Sequence, residues 1–403
     1  MSGVRTSDFV IIGAGIIGLA IAHELISQNP TLSITVLDKE NALGAHASGR
    51  NSGVLHAGFY YSPESLKAQL TRDGNRMLHE FLTAHDVPVR RTGKVVVASH
   101  ESDLAALSML NERALANGVE VSLVSAQQLR DIEPRARTVE QALWSPTTSV
   151  ADPLEVINAF AVAVRQSGVN VHLGQHVIDI APGRVTTASH QYEAAHIINA
   201  AGLYAERIAH SFGFGLDYVM LPFKGLYWYA DLPSDFLHRQ VYPVPDMKNP
   251  FLGVHVTLTS HGRIKIGPTA IPALWRENYS GLSHFQSDEF IESVRTYPKF
   301  LSSPHHNSWK LFAQEFPKYF KQIMVGQAQQ LVPTLPRNVF NTRGRVGIRA
   351  QLFNTKKRSL EMDFIVCGDR QSTHMLNSVS PAWTSSMAVA QYVVADLRKR
   401  QAL

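Results

Sequence analysis

Cysteine is almost absent: Cys367 is the only one in 403 residues. That excludes an intramolecular disulfide and a cysteine-rich metal site, so any redox chemistry is carried by something other than a thiol relay. Long apolar runs are missing too. The most apolar stretch, residues 9–22, is broken by Gly13, Gly15 and Gly18 and ended by His23 and Glu24, so it does not read as an anchor or an export signal. There is no long basic tract: 38 Lys and Arg against 33 Asp and Glu give a mild formal charge of +5, and nucleic acid is not an expected partner. Neither an internal repeat nor clustered His/Asp spacing is evident, so no metal is expected. The chain is read as cytoplasmic, with a peripheral contact at the inner membrane as a further option. Its oligomeric state stays open.

What is present is an ordinary globular composition, 45% hydrophobic and 18% charged, in a chain too long for one core, so two domains are expected. The first fifty residues carry the sharpest signal. A β-branched and aromatic run over 8–12 leads into Gly13-Ala14-Gly15-Ile16-Ile17-Gly18 and a helical pattern. In that context Gly13 permits the tight turn, Gly15 lets the backbone approach a pyrophosphate, and Gly18 allows close helix packing. The phosphates sit on the open helix N-terminus. A second strand over 33–37 ends at Asp38, whose carboxylate suits the adenosine ribose hydroxyls and disfavours a 2′-phosphate. The pattern reads as an adenine-dinucleotide site. Residues 44–58, rich in Gly, Ala, Ser, Asn and His, favour the longer FAD over NAD, although a plain surface loop has the same composition.

Further along, helices are expected over 66–85, 104–116 and 153–166, and strands over 93–99, 171–177 and 178–180. Residues 219–266 alternate aromatic segments with Pro and Gly, as in a mostly antiparallel sheet. The stripe of Phe312, Phe316, Tyr319 and Phe320, mixed with Lys318 and Lys321, reads as core packing beneath a charged face in preference to a membrane-contact helix. A last helix over 382–398 is expected to open at Ser380-Pro381.

Several longer runs carry a resemblance. They are residues 51–61 (NSGVLHAGFYY), 65–68 (SLKA), 93–95 (GKV), 198–205 (INAAGLYA), 242–246 (YPVPD), 250–255 (PFLGVH), 347–351 (GIRAQ) and 377–385. Together the chain resembles the D-amino-acid-oxidase-like FAD oxidoreductases, and within them the branch that oxidises L-2-hydroxyglutarate. The resemblance implies an α/β Rossmann-like FAD-binding domain assembled from residues 1–87, 141–210 and 335–403. It also implies an α+β substrate domain, with a mostly antiparallel sheet, from 88–140 and 211–334. FAD would be noncovalent, held by Gly13, Gly15, Ile16, Ile17, Gly18, Asp38, Lys39, Asn51, Ser52, Gly53, Val177, Ala201, Gly202, Gly347, Ser380, Pro381 and Ala382. The implied reaction is hydride transfer from a small 2-hydroxy dicarboxylate to flavin N5, giving 2-oxoglutarate from L-2-hydroxyglutarate. Electrons would pass to a membrane quinone of the respiratory chain, dioxygen or another acceptor. Two departures fall in the substrate domain: Lys224 where relatives carry arginine, and Thr269 where asparagine is usual.

Such a reaction needs a base for the hydroxyl proton and a cation for a carboxylate. Imidazole suits the first role, and His56, in the segment expected near the flavin ring, leads His255. Arg349 leads for the C1 carboxylate, because the Gly-Ile-Arg segment resembles one whose arginine does this in related oxidases. Lys224 and Tyr61 are further substrate-binding candidates, with Tyr60 and Lys265 weaker. Competing readings are an amine oxidase of the sarcosine, glycine or proline type, an NAD-dependent dehydrogenase, and a noncatalytic flavin-binding assembly protein.

Overall fold

A computed structural model describes residues 3–246, 249, 251–305 and 307–403. Pro250, in one of the matched runs, lies outside the described residues. The opening unit is strand β1 (Val4–Ile12), helix α1 (Ile16–Gln28) and strand β2 (Ile34–Leu37). Only the second half of β1, Phe9 to Ile12, is buried, which is why the apolar run alone predicts a shorter strand. β1 lies between β2 and Gln191–Asn199, parallel to both. The sheet continues through Ser372–Met375 to Val366–Gly368 on one side and to Asn170–His172 on the other, with the Val177–Ala181 and Arg184–Thr187 hairpin added.

α1 is buried nearly all round because helices cover it on both sides, Pro153–Gln166 and Ser386–Lys399. Asp152 caps the first of these by accepting the Leu154 amide at 2.8 Å, and Ser65 caps Leu66–Ala84 by accepting the Ala68 amide at 3.1 Å. Within this core Phe160 stacks on Phe81, ring centroids 4.0 Å apart.

A second, largely antiparallel sheet runs Thr342–Arg343, Trp228–Ala230, Ile264–Gly267, His255–Leu258, Gln240–Pro243, Lys94–Val97, Gln141–Ser145 and Ser122–Ser125. Its one parallel pair is Gln240–Pro243 with Lys94–Val97. A third sheet pairs Tyr218–Gly225 with Gly347–Asn354 and with Ile271–Pro272. Four segments expected with the nucleotide-binding part, Gln141–Ser145, Thr342–Arg343, Gly347–Asn354 and Ser359–Leu360, therefore pair in the other sheets. Local pattern cannot reveal this, because the partner strands are distant in sequence.

The last helix begins at Ser386, later than Ser380-Pro381 leads one to expect. Thr384 explains the delay: its hydroxyl donates to the Val54 carbonyl at 3.2 Å and accepts the His56 amide at 3.1 Å. The 380–385 segment is thus tied to the strand after the glycine-rich loop before the helix starts. Among the described residues no helix is long and apolar enough to cross a membrane. Phe160→Ala, which empties a fully buried ring site, is expected to cost about 3–5 kcal/mol of stability, seen as a lower urea midpoint.

Candidate active site

A cavity of about 930 Å³ extends from the β1–α1 turn to the sheets of the second layer. At the turn, Gly13 has φ +106°, and a Cβ there would lie 2.5 Å from the Ala200 carbonyl oxygen. A Cβ on Gly18 would lie 2.0 Å from the Gly13 carbonyl oxygen. Gly18 is therefore spent on packing and is absent from the cavity wall, whereas Gly13, Gly15, Ile16 and Ile17 line it. The Ala14 amide donates to Asp38 at 2.9 Å and the Ile16 amide to Ser48 at 3.0 Å. The first bond to a carbonyl of the turn runs from the Leu19 amide to Gly15, which leaves the first-turn amides of Ile17 and Gly18 open, as anion binding requires.

Asp38 lines the cavity at the end of β2 and also accepts the Glu40 amide at 2.9 Å. Burial pushes its carboxyl above the ordinary value against the pull of these two amides. Lys39 lines the wall as well, but its ammonium is already engaged by Glu40 and by Glu277 at 2.6 Å. Glu40, His46 and Glu277 bring possible metal-ligand atoms within 4.8 Å of one another, and Lys39 supplies a cation between the two carboxylates. Val177, Ala201 and Gly202 complete this end. Along the middle run Asn51 and Ser52. Gly53, φ +74°, stays behind the wall, its amide bonded to Asn51 Oδ1 at 2.7 Å. A long cleft with small backbone turns, open amides and an acid at the ribose position fits FAD.

The far end is built differently. Gly347, Arg349, Ser380, Pro381, Ala382, His56, His255, Tyr227, Tyr242 and Phe251 line it. Arg349 lies over the Phe251 ring at 4.7 Å, and among the described residues no carboxylate pairs with it. Its cross-strand neighbour is Phe223, so the two share a face, while Lys224 pairs with Ile348 on the other face. Lys224 does not line the cavity, because its ammonium is turned to Asn278, donating to Oδ1 at 2.8 Å. Tyr61 is set back as well, beside Ser380 and Arg349.

His255 Nδ1 donates to the Gly253 carbonyl at 2.9 Å, which leaves Nε2 as the acceptor nitrogen. The ring stacks on Tyr242 at 3.8 Å, and burial, with Lys94, Lys265 and Arg349 nearby, pushes its pKa down to about 3. His56 is held well below the usual imidazole range by burial, then by Lys94 and His255. Three further lysines are buried in this region, Lys94 and Lys265 beside the histidines and Lys67 nearer Arg349. Lys265 donates to the Ser52 carbonyl at 3.0 Å, Lys67 lies near Asp363, and burial brings both down to about 8. Lys94 is fully buried and its ammonium has no hydrogen-bond partner among the described residues. It sits 4.5 Å from the Tyr242 ring, 5.0 Å from Tyr60 and 5.3 Å from Phe59, and burial brings it down to about 7. Sequence reasoning missed Lys94, Ser48 and Thr384. Only the Gly93-Lys94-Val95 match pointed toward the first.

Comparison with known proteins gives three findings. Residues 8–396 match the family model described as FAD dependent oxidoreductase. The mitochondrial L-2-hydroxyglutarate dehydrogenase of Caenorhabditis elegans is 33% identical over 417 residues, covering 98% of this chain and 93% of that protein. The human mitochondrial enzyme is 32% identical over 420 residues, covering 98% and 89%. The FAD-bound L-alpha-glycerophosphate oxidase from Mycoplasma pneumoniae superposes with a TM-score of 0.76 at 22% identity, covering 98% and 95%. The expectation of a cytoplasmic chain is corrected by the first two relatives, which are mitochondrial. Composition and a soluble core do not encode a compartment. Gly18→Ala is expected to purify with little bound flavin, measured as visible flavin absorbance relative to protein, because its Cβ collides with the turn that must hold the pyrophosphate.

Proposed function

The chain belongs to the FAD-dependent oxidoreductase family, and from that premise we propose that it oxidises L-2-hydroxyglutarate to 2-oxoglutarate. The observation that carries this reading is the surplus of positive charge at one end of the cavity, Arg349 in the wall with the buried Lys94 and Lys265 behind it. Buried cations without carboxylate partners are costly, and an anionic substrate relieves that cost. The curated relatives named above act on a substrate with two carboxylates.

Arg349 grips one carboxylate and orients the hydroxyl-bearing carbon. The second negative charge is balanced by the field of Lys94 and Lys265. His56, on the cavity wall, takes the hydroxyl proton, and His255, its tautomer fixed by Gly253, supplies an acceptor at Nε2 beside it. Tyr227, Tyr242 and Phe251 wall off water. FAD, when bound, supplies the acceptor for the hydride leaving the same carbon. For the eventual electron acceptor we propose a membrane quinone. The FAD-holding part is assigned to residues 1–87, 146–210 and 361–403, which moves the four segments that pair in the other sheets to the substrate side.

Anaerobic mixing with L-2-hydroxyglutarate is expected to bleach the flavin, whereas the D form and sarcosine leave it oxidised. Bleaching by sarcosine instead would select the amine-oxidase reading. Arg349→Met is expected to lower kcat/KM on the order of 100-fold or more, with flavin content unchanged. His56→Ala is expected to slow anaerobic flavin reduction about 100-fold or more. Removing the Lys94 charge relieves the downward pressure on His56, so Lys94→Met is expected to move the acid limb of kcat/KM to higher pH. A profile of that variant superposing on the parent would count against an influence of Lys94 on the base.

A further inference from the structure

We propose that Trp309, Phe312, Phe316, Tyr319, Phe320 and Ile323 form a docking surface for an anionic lipid bilayer. They belong to the helix Ser308–Glu315, the tight turn Phe316–Tyr319 and the helix Lys321–Leu331. The sequence favours core packing for this stripe, and the structure reverses that expectation. Trp309 is 63% exposed, Phe316 51%, Tyr319 43%, Phe320 65% and Ile323 41%. The rings form one run: Trp309 meets Phe312 at 6.5 Å, Phe312 stacks on Phe316 at 5.5 Å, and Phe316 meets Tyr319 at 5.9 Å.

The inward side of the same segment is already satisfied. Leu311 is buried in the cluster that holds Phe223, Phe251 and Phe300. Glu315 is buried, accepting the Ala270 amide at 2.7 Å and the Lys318 ammonium. The exposed rings are therefore a second apolar face with no partner among the described residues, larger than the scattered apolar side chains of an ordinary surface.

Charge identifies the partner. Residues 293–360 contain twelve Lys and Arg but one acid, Glu315, which is buried against Lys318. Lys310 is exposed on the helix Ser308–Glu315 and Lys299 on the preceding helix Ser287–Leu301, and Arg343 is close enough to act on the Tyr319 hydroxyl. The nearest acids before this stretch, Asp288, Glu289 and Glu292, are engaged by Arg207 and Arg276. Aromatic rings at a water boundary, flanked by lysine and free of exposed carboxylate, fit a negatively charged membrane surface. A protein interface fits less well, since lysine is depleted from such contacts. The face is also one side-chain layer from the cavity, because Phe223 and Phe251, which pack with Leu311, line it. The lipid contact does not depend on the substrate proposed above.

The test is flotation of the flavin-loaded full chain with vesicles of phosphatidylglycerol and phosphatidylcholine, compared with phosphatidylcholine alone. The parent is expected to float with the anionic vesicles, at least about tenfold more than with neutral ones, and to be released by high salt. Trp309→Ser/Phe316→Ser/Phe320→Ser is expected to stay in the soluble fraction with its flavin absorbance intact. If that variant loses flavin, Lys299→Glu/Lys310→Glu replaces it with the same expectation. No flotation of the parent, equal flotation of the variants, or a self-association that the substitutions abolish without any vesicle binding would overturn the proposal.

Discussion

Positive charge buried without negative charge is the constraint around which the rest of the molecule is arranged. Among the described residues Arg349 has no carboxylate partner and Lys94 no hydrogen-bond partner. The fold tolerates Lys94 by surrounding it with the faces of Phe59, Tyr60 and Tyr242, whose ring electrons stabilise the cation or accommodate the neutral amine equally well. The parallel pairing of Gln240–Pro243 with Lys94–Val97 makes this possible. It is the only parallel pair in that sheet, and it lays the strand of Tyr242 beside that of Lys94.

The same charges set the state of the two histidines. Burial and nearby cations favour the neutral form of both imidazoles, with His255 pushed down to about 3. In the proposed reaction, a dianion between Arg349 and the lysines would cancel part of that field and raise imidazole basicity, so that substrate charge would contribute to proton removal as well as to binding. A zwitterionic amino acid, with little net charge to offer, would leave the histidines as weak as before.

Much of this was legible in the sequence, for reasons that are local. The β1–α1–β2 unit follows from three glycines and an acid at fixed offsets. The Leu66–Ala84 helix follows from Ser65 and an apolar stripe, and the family follows from runs such as residues 51–61. What was not legible depends on pairing between distant strands. The face taken by Lys224 is fixed by its register against Gly347–Asn354, and the burial of Lys94 by strands that arrive more than a hundred residues later. The aromatic stripe near Phe316 misled because its helical segments are apolar on two sides, and periodicity cannot choose which side the core takes.

Thr384 has a consequence for how the protein matures. One hydroxyl joins the Val54 carbonyl and the His56 amide across 328 residues of chain. The opening βαβ unit emerges from the ribosome first, yet the segment bearing His56, just after the strand Val54–Leu55, gains this anchor only when residue 384 has been made. A nascent chain can therefore acquire its dinucleotide-binding turn well before its reactive end is assembled. Synthesis order thus separates forming the turn from completing the cleft.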